Sequence, residues 1–171
     1  MPDRMRKSKK AGGPYLAAAF FCENVIEDKA DGALSAIRII DQIKIGLRDS
    51  PDFPTEENRL PVSISGLLSF KTGHSKEKEH VVRVTMISPT GKVNVPFEQT
   101  LRFTAPEHGG SNLTLRTTIM VVNGGLFWFK VYLDDKLIAH MPLLITVQKM
   151  APAEFQAALA ESSPVPLSAG N

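Results

Sequence analysis

Apolar and polar residues alternate with a period of two along most of this chain, most clearly near its C-terminal end. Phe127, Phe129, Val131 and Leu133 share one parity, with Lys130 and Asp134 on the other. After the polar pair Asp134-Asp135, the residues Leu137, Ala139, Met141, Leu143, Ile145 and Val147 again fall on one parity. A helix would scatter these positions around its circumference, whereas a strand turns them all to one side. The spacing predicts a β-hairpin with this set facing a core.

The same reading predicts further strands. Val62, Ile64, Leu68 and Phe70 alternate after Pro61, and Val82, Val84 and Met86 lead into the turn Ser88-Pro89-Thr90-Gly91. Val93, Val95, Phe97, Leu101 and Phe103 follow that turn, with Gln99 out of step. Leu113, Leu115, Ile119 and Val121 lie between the loop Glu107–Gly110 and the tight link Asn123-Gly124-Gly125. Tyr15–Cys22 is apolar on both faces, as in a strand covered from both sides. Beyond the polar turn Glu27–Gly32, Ile37, Ile39, Ile43 and Ile45 resume the alternation, with Asp41 interrupting it. The stretch Arg48–Arg59, with Pro51 and Pro54, is the longest connection and is expected to carry the chain from one sheet to the other.

About eight strands with short turns, and no helix in the body, predict an all-β fold. The expected architecture is an antiparallel two-sheet sandwich with immunoglobulin-like Greek-key connections. A closed barrel is the alternative. The sandwich is expected over residues 14–149, after a disordered basic tail over 1–13. The Ala- and Pro-rich segment 150–171 follows, where Phe155 and Leu159 suit a short helix that Pro164 and Pro166 would end.

Two stretches carry a resemblance. The run Leu16–Val25, the turn with Gly32 and Ala36–Asp41 resemble the opening of a family of small bacterial immunoglobulin-like β-sandwich proteins catalogued as a domain of unknown function. Gly125–Asp134 and Leu137–Leu144 are similar to that family's closing hairpin, and to the last hairpin of many immunoglobulin-like domains. The resemblance covers most of residues 15–149. It implies the sandwich fold and no catalytic residues.

Charge changes the picture only at one end. Arg4, Arg6, Lys7, Lys9 and Lys10 face one acid, Asp3, in the first ten residues, while the rest of the chain holds 15 basic and 17 acidic residues. The body is nearly neutral, which disfavours a basic nucleic-acid-binding face. The five N-terminal cations are instead the candidate contact to nucleic acid phosphates in an alternative reading. No apolar run approaches the roughly 20 residues of a membrane-spanning helix. The apolar stretch Tyr15–Cys22 is short for a secretion signal and ends at Glu23-Asn24, so a first strand is expected there. With the single cysteine, Cys22, this favours the cytoplasm and excludes an internal disulfide or paired-cysteine zinc site.

Candidate chemistry is sparse. His74, Glu77, Glu79 and His80 cluster within a segment that also holds Lys71, Lys76 and Lys78, where a solvated hairpin tip is expected rather than a metal site. Cys22 falls among apolar strand residues, and no serine occurs in a Gly-x-Ser-x-Gly setting. Neither Gly109-Gly110 nor Gly124-Gly125 has the ending of a phosphate loop. The expectation is a chain with no enzymatic role, cofactor or small-molecule substrate.

One face invites a partner. Trp128 and Tyr132, with Leu126, lie on the parity opposite the core residues of the closing hairpin, and Ile138, His140 and Leu144 share it across the turn. A face in water alone should be more polar, so these positions are the candidate contact for a protein partner or a second copy, with strand addition at an exposed edge strand as the alternative mode. The alternative cover is the chain's own C-terminal segment, through Phe155 and Leu159.

Overall fold

The computed structural model describes residues 12–48, 54–73, 75, 79–103, 109–154 and 156. Its strands are β1 (Tyr15–Glu27), β2 (Leu34–Ile40), β3 (Gln42–Arg48), β4 (Leu60–Lys71), β5 (Glu79–Ile87), β6 (Val93–Arg102), β7 (Gly110–Val121), β8 (Gly125–Leu133) and β9 (Lys136–Met150). They form a four-stranded sheet, β2-β1-β4-β7, and a five-stranded sheet, β3-β9-β8-β5-β6. The two sheets remain separate, which removes the closed barrel.

The β8–β9 hairpin forms as its alternation dictates. Phe127, Phe129, Val131 and Leu133 are buried, as are Met141, Leu143 and Ile145. Asp134 and Asp135 make the turn with φ of 48° and 63°, the doubly left-handed backbone that suits a two-residue link between twisted strands. These side chains meet Ile64, Leu68, Phe70, Leu115 and Val121 of the other sheet in one core. Phe21 and Phe129 join the layers edge to face, with centroids 4.9 Å apart. Each such large apolar side chain contributes about 1.5–3 kcal/mol on burial.

The expected single strand Ile37–Ile45 is two strands. Asp41 is the point where the chain leaves β2, at the edge of one sheet, and enters β3, at the edge of the other. The Leu144 N–H donates to the Asp41 carbonyl at 2.9 Å, tying the corner down. β3 then runs parallel to β9. The five-stranded sheet is therefore mixed rather than wholly antiparallel, and the fold has nine strands among the described residues. A second crossing follows between β3 and β4, where the long Arg48–Arg59 connection was expected to make it.

The side assignments fail wherever a strand is irregular. Ile43 and Ile45 pack against the core, but Ile37 and Ile39 are exposed. Between them lies Arg38, whose left-handed φ of 49° breaks the pleat on an edge strand. Val93 and Val95 are exposed while Leu101 and Phe103 are buried, because the β5–β6 register slips between Val84 and Met86. Of the C-terminal segment, residues 152–154 and 156 are helical. Phe155 and Leu159, like residues 1–11, lie outside the described residues.

Candidate functional site

Strand alternation on β8 and β9 turns a second set of side chains away from the core. Leu126, Trp128, Leu137 and Leu144 are each 36–42% exposed. Their registry makes them neighbours. Leu126 pairs with Leu144, and Trp128 sits between Pro142 on one side and Ile87 on the other. Ile87 in turn pairs with the exposed Val93 of β6. Two adjacent apolar rows thus lie on the outer face of the five-stranded sheet, one across β9 and β8 and the other across β9, β8, β5 and β6.

Toward the β8–β9 turn the face becomes polar. The His140 ring stands edge-on to Trp128 with centroids 6.1 Å apart, and Lys130 is its register partner. The Arg83 guanidinium lies 5.4 Å from the centroid of the half-buried Tyr132 and pairs with Asp135 at 2.6 Å. Glu98 stands opposite Arg83 in the β5–β6 register.

Of the residues expected on this face, Trp128, Tyr132, His140 and Leu144 are there, and Ile138 is not. Ile138 packs against the core, and Leu137, expected inside, is exposed. The register slips at this point, with Val131 opposite Ala139 but Tyr132 opposite Leu137. That β-bulge reverses the parity of the residues before it, a change that apolar spacing does not announce because both residues are aliphatic.

The basic residues Arg4, Arg6, Lys7, Lys9 and Lys10 lie outside the described residues, as do His74 and Glu77. Glu79 and His80, the other members of that acidic and histidine cluster, go to different partners. Glu79 pairs with Arg102 at 3.0 Å. Among the described residues no group of three histidine, cysteine, aspartate or glutamate side chains converges. Cys22 is buried beside Val25 and Leu67, and burial pushes its thiol up.

His80 reveals a constellation that sequence reading missed. Its ring is buried edge-on to Phe103, with centroids 5.7 Å apart. Nδ1 lies 2.6 Å from Asp134 Oδ2, and Nε2 lies 3.4 Å from Ser75 Oγ. The Val81 N–H donates to the other Asp134 oxygen at 2.9 Å. Burial alone would push the Asp134 carboxyl up. The His80 hydrogen bond, the Val81 N–H and the charge of His80 together outweigh it and hold the group below the ordinary carboxylate range. Asp134 is 54 residues from His80, so no local motif links them.

The order serine, histidine, aspartate is that of a nucleophilic triad, yet the ring is only 4% exposed. Two clefts of about 540 Å³ open on the described surface, one between β6 and β7 and one beside Cys22. None of the three residues lines either. The group ties the start of β5 to the β8–β9 turn and to the loop that ends β4. Thr72 completes that end, its N–H and hydroxyl both donating to the Gly109 carbonyl.

No helix among the described residues is long and apolar enough to cross a membrane. Three solved structures share parts of this arrangement. A β-glucosidase from Listeria innocua in complex with glucose is 9% identical with a TM-score of 0.49, covering 82% of this chain and 17% of its own. The alkylpurine DNA glycosylase AlkC of Pseudomonas fluorescens, bound to DNA with an abasic-site analogue, is 11% identical with a TM-score of 0.41, covering 62% of this chain and 28% of its own. An immunoglobulin-like protein from Pseudomonas aeruginosa is 12% identical with a TM-score of 0.38, covering 79% of this chain and 98% of its own. At TM-scores below 0.5 these likenesses carry no functional argument. None of the curated proteins matches the chain. A family model does match, over residues 17–146, and the chain belongs to that family, the family of unknown function DUF6941.

Proposed function

We propose that this chain is a non-catalytic interaction module, an immunoglobulin-like scaffold that self-associates through the outer face of its five-stranded sheet. The observation that carries the reading is the pair of registered apolar rows, Leu126–Leu144 and Pro142–Trp128–Ile87–Val93. Isolated exposed apolar residues are ordinary on a protein surface, but contiguous rows that include a tryptophan are typical of contact surfaces. The five strands run from seven to fifteen residues, ten on average, so at about 4.8 Å between strands and about 3.3 Å per residue the whole face, polar end included, measures roughly 800 Å². That is close to the roughly 800 Å² each partner commits to an ordinary interface.

A second copy suits this face for two reasons. Its polar margin holds both signs, with Arg83 and Lys130 beside Asp135 and Glu98, so a twofold arrangement can set opposite charges against each other. The body beyond the first ten residues is nearly neutral, so two copies repel each other little. We place the protein in the cytoplasm, where a lone buried thiol is stable.

Sedimentation equilibrium of the full chain tests this. A concentration-dependent dimer is expected, and Trp128→Ala should weaken it at least tenfold, about 1.4 kcal/mol, with unfolding still cooperative. A full chain that stays monomeric at about 0.5 mM, a concentration at which even weak pairs form, would sink the reading.

A further inference from the structure

An edge strand presents a row of unpaired N–H and C=O groups, and proteins usually interrupt it by brevity, proline, a bulge or charge. Three of the four edges are interrupted. β2 and β3 have seven residues each, and β2 carries the left-handed Arg38. β6 contains Pro96 where its register with β5 slips. The fourth edge, β7, is twelve residues long and pairs with β4 without a slip from Gly110 to Val121. It holds no proline and one charge, Arg116, whose guanidinium reaches back across the sheet to the Val25 carbonyl at 3.4 Å. Alternate peptide groups of β7 therefore point away from β4, and no described strand pairs with them.

The last residues of this edge, Thr117–Val121, border the cleft of about 540 Å³ that separates β7 from β6. Its floor includes Met86, Ile119, Val121 and Phe127, all buried core residues. Lys92 stands among the lining residues and makes no ion pair among the described residues. We propose that β7 accepts an extended peptide strand from a partner protein, with alternate apolar side chains entering the β6–β7 cleft and an acidic residue near Lys92.

The choice of occupant follows from packing. A strand added beyond β7 projects every second side chain toward the cleft. The β7 of a second copy cannot fill it, because its inward residues Leu113, Leu115, Ile119 and Val121 are already buried in that copy's own core. A free extended segment has such side chains to give. Five residues span about 16 Å at about 3.3 Å each, so a segment of five or six residues suffices. This surface is separate from the Trp128 face, and either can fail without the other.

The probe is a capped eight-residue peptide alternating valine and threonine, with one aspartate and terminal lysines for solubility. At about 1 mM peptide, amide exchange in residues 114–120 of the full chain should slow at least about twofold, as a Kd of about 1 mM or tighter gives, with β2 and β3 unchanged. Two further peptides carry N-methyl groups on odd or on even residues. One should bind and the other fail, since only one parity of amides faces β7. Lys92→Glu should weaken the aspartate peptide about threefold to tenfold, the range of an exposed ion pair with its sign reversed. Unchanged β7 exchange overturns the proposal, as does equal binding by both N-methylated peptides. Protection of β7 that rises with protein concentration alone also overturns it, and assigns the edge to a second copy.

Discussion

The outer faces of the two sheets both carry apolar residues, and the chain treats them differently. On the four-stranded sheet, Phe20, Cys22 and Leu67 fall on the parity opposite the core residues Phe21 and Leu68. There they meet Val25, Leu34 and Ala36 of the β1–β2 hairpin in a second cluster whose Cys22, Val25 and Leu67 are buried, although Ile39 and Met120 of the same sheet stay exposed. On the five-stranded sheet, Leu126, Trp128 and Leu144 stand exposed, and none of the described segments covers them. Apolar composition is similar in the two places. What separates a small core from a contact surface is whether the chain returns to cover it.

The β1–β2 hairpin can return because it is irregular. Cys22 and Val25, three residues apart, share one cluster, which strict alternation would forbid. The change of phase lies beside Glu23, which pairs with the left-handed Arg38 at 3.1 Å. Gly32, with φ of 74°, and the Asp28 side chain, which accepts from the Ala30 N–H at 2.8 Å, close the turn that brings Leu34 and Ala36 back. β8 has no such irregularity before its last residues, and Trp128 and Phe129 remain on opposite faces.

That adjacency gives the sharpest test. Phe129→Ala should cost about 3–5 kcal/mol in chemical denaturation, as for a large ring removed from a closed core. Trp128→Ala should cost less than about 1 kcal/mol, as for a residue outside the core. Equal losses would mean that Trp128 is covered. Leu67→Ala should cost about 2–4 kcal/mol if the second cluster is as well packed as the first. A loss near zero would erase the contrast between the outer faces. Leu144→Glu should then leave stability within about 0.5 kcal/mol, as surface changes do, while sedimentation shows the dimer weakened.

The smallest expected effect concerns the turn at the polar end of the face. Asp134 is held below the ordinary carboxylate range in the folded chain, so the folded state binds fewer protons than the unfolded state in that window. Its contribution to stability is full above the ordinary carboxylate range and is lost as pH falls through the depressed value. Asp134 is half exposed, so the effect is modest. Asp134→Asn should flatten that part of the stability–pH curve, measured by denaturant midpoints. An unchanged slope would show that His80 does not couple to the turn.

Much of the fold was legible in advance. The closing hairpin, its turn and the buried set Phe127, Phe129 and Val131 follow from parity alone, and so does the outward position of Trp128. The two errors at that surface, Ile138 and Leu137, share one cause. A bulge inserts a residue into one strand only, and its position depends on the partner strand. Ser75, His80 and Asp134 were illegible for a related reason, since they meet only when the β8–β9 turn reaches β5.

By itself, the sequence determined where strands run, where most turns fall and which face of each regular strand is apolar. These are local properties, because successive side chains of an extended backbone must point to opposite sides. The tertiary structure alone decided that Asp41 changes sheets, that β3 runs parallel to β9, and which outward apolar side chains are covered. Those outcomes depend on which distant strand offers hydrogen bonds and buried area, a competition that no stretch of neighbouring residues encodes.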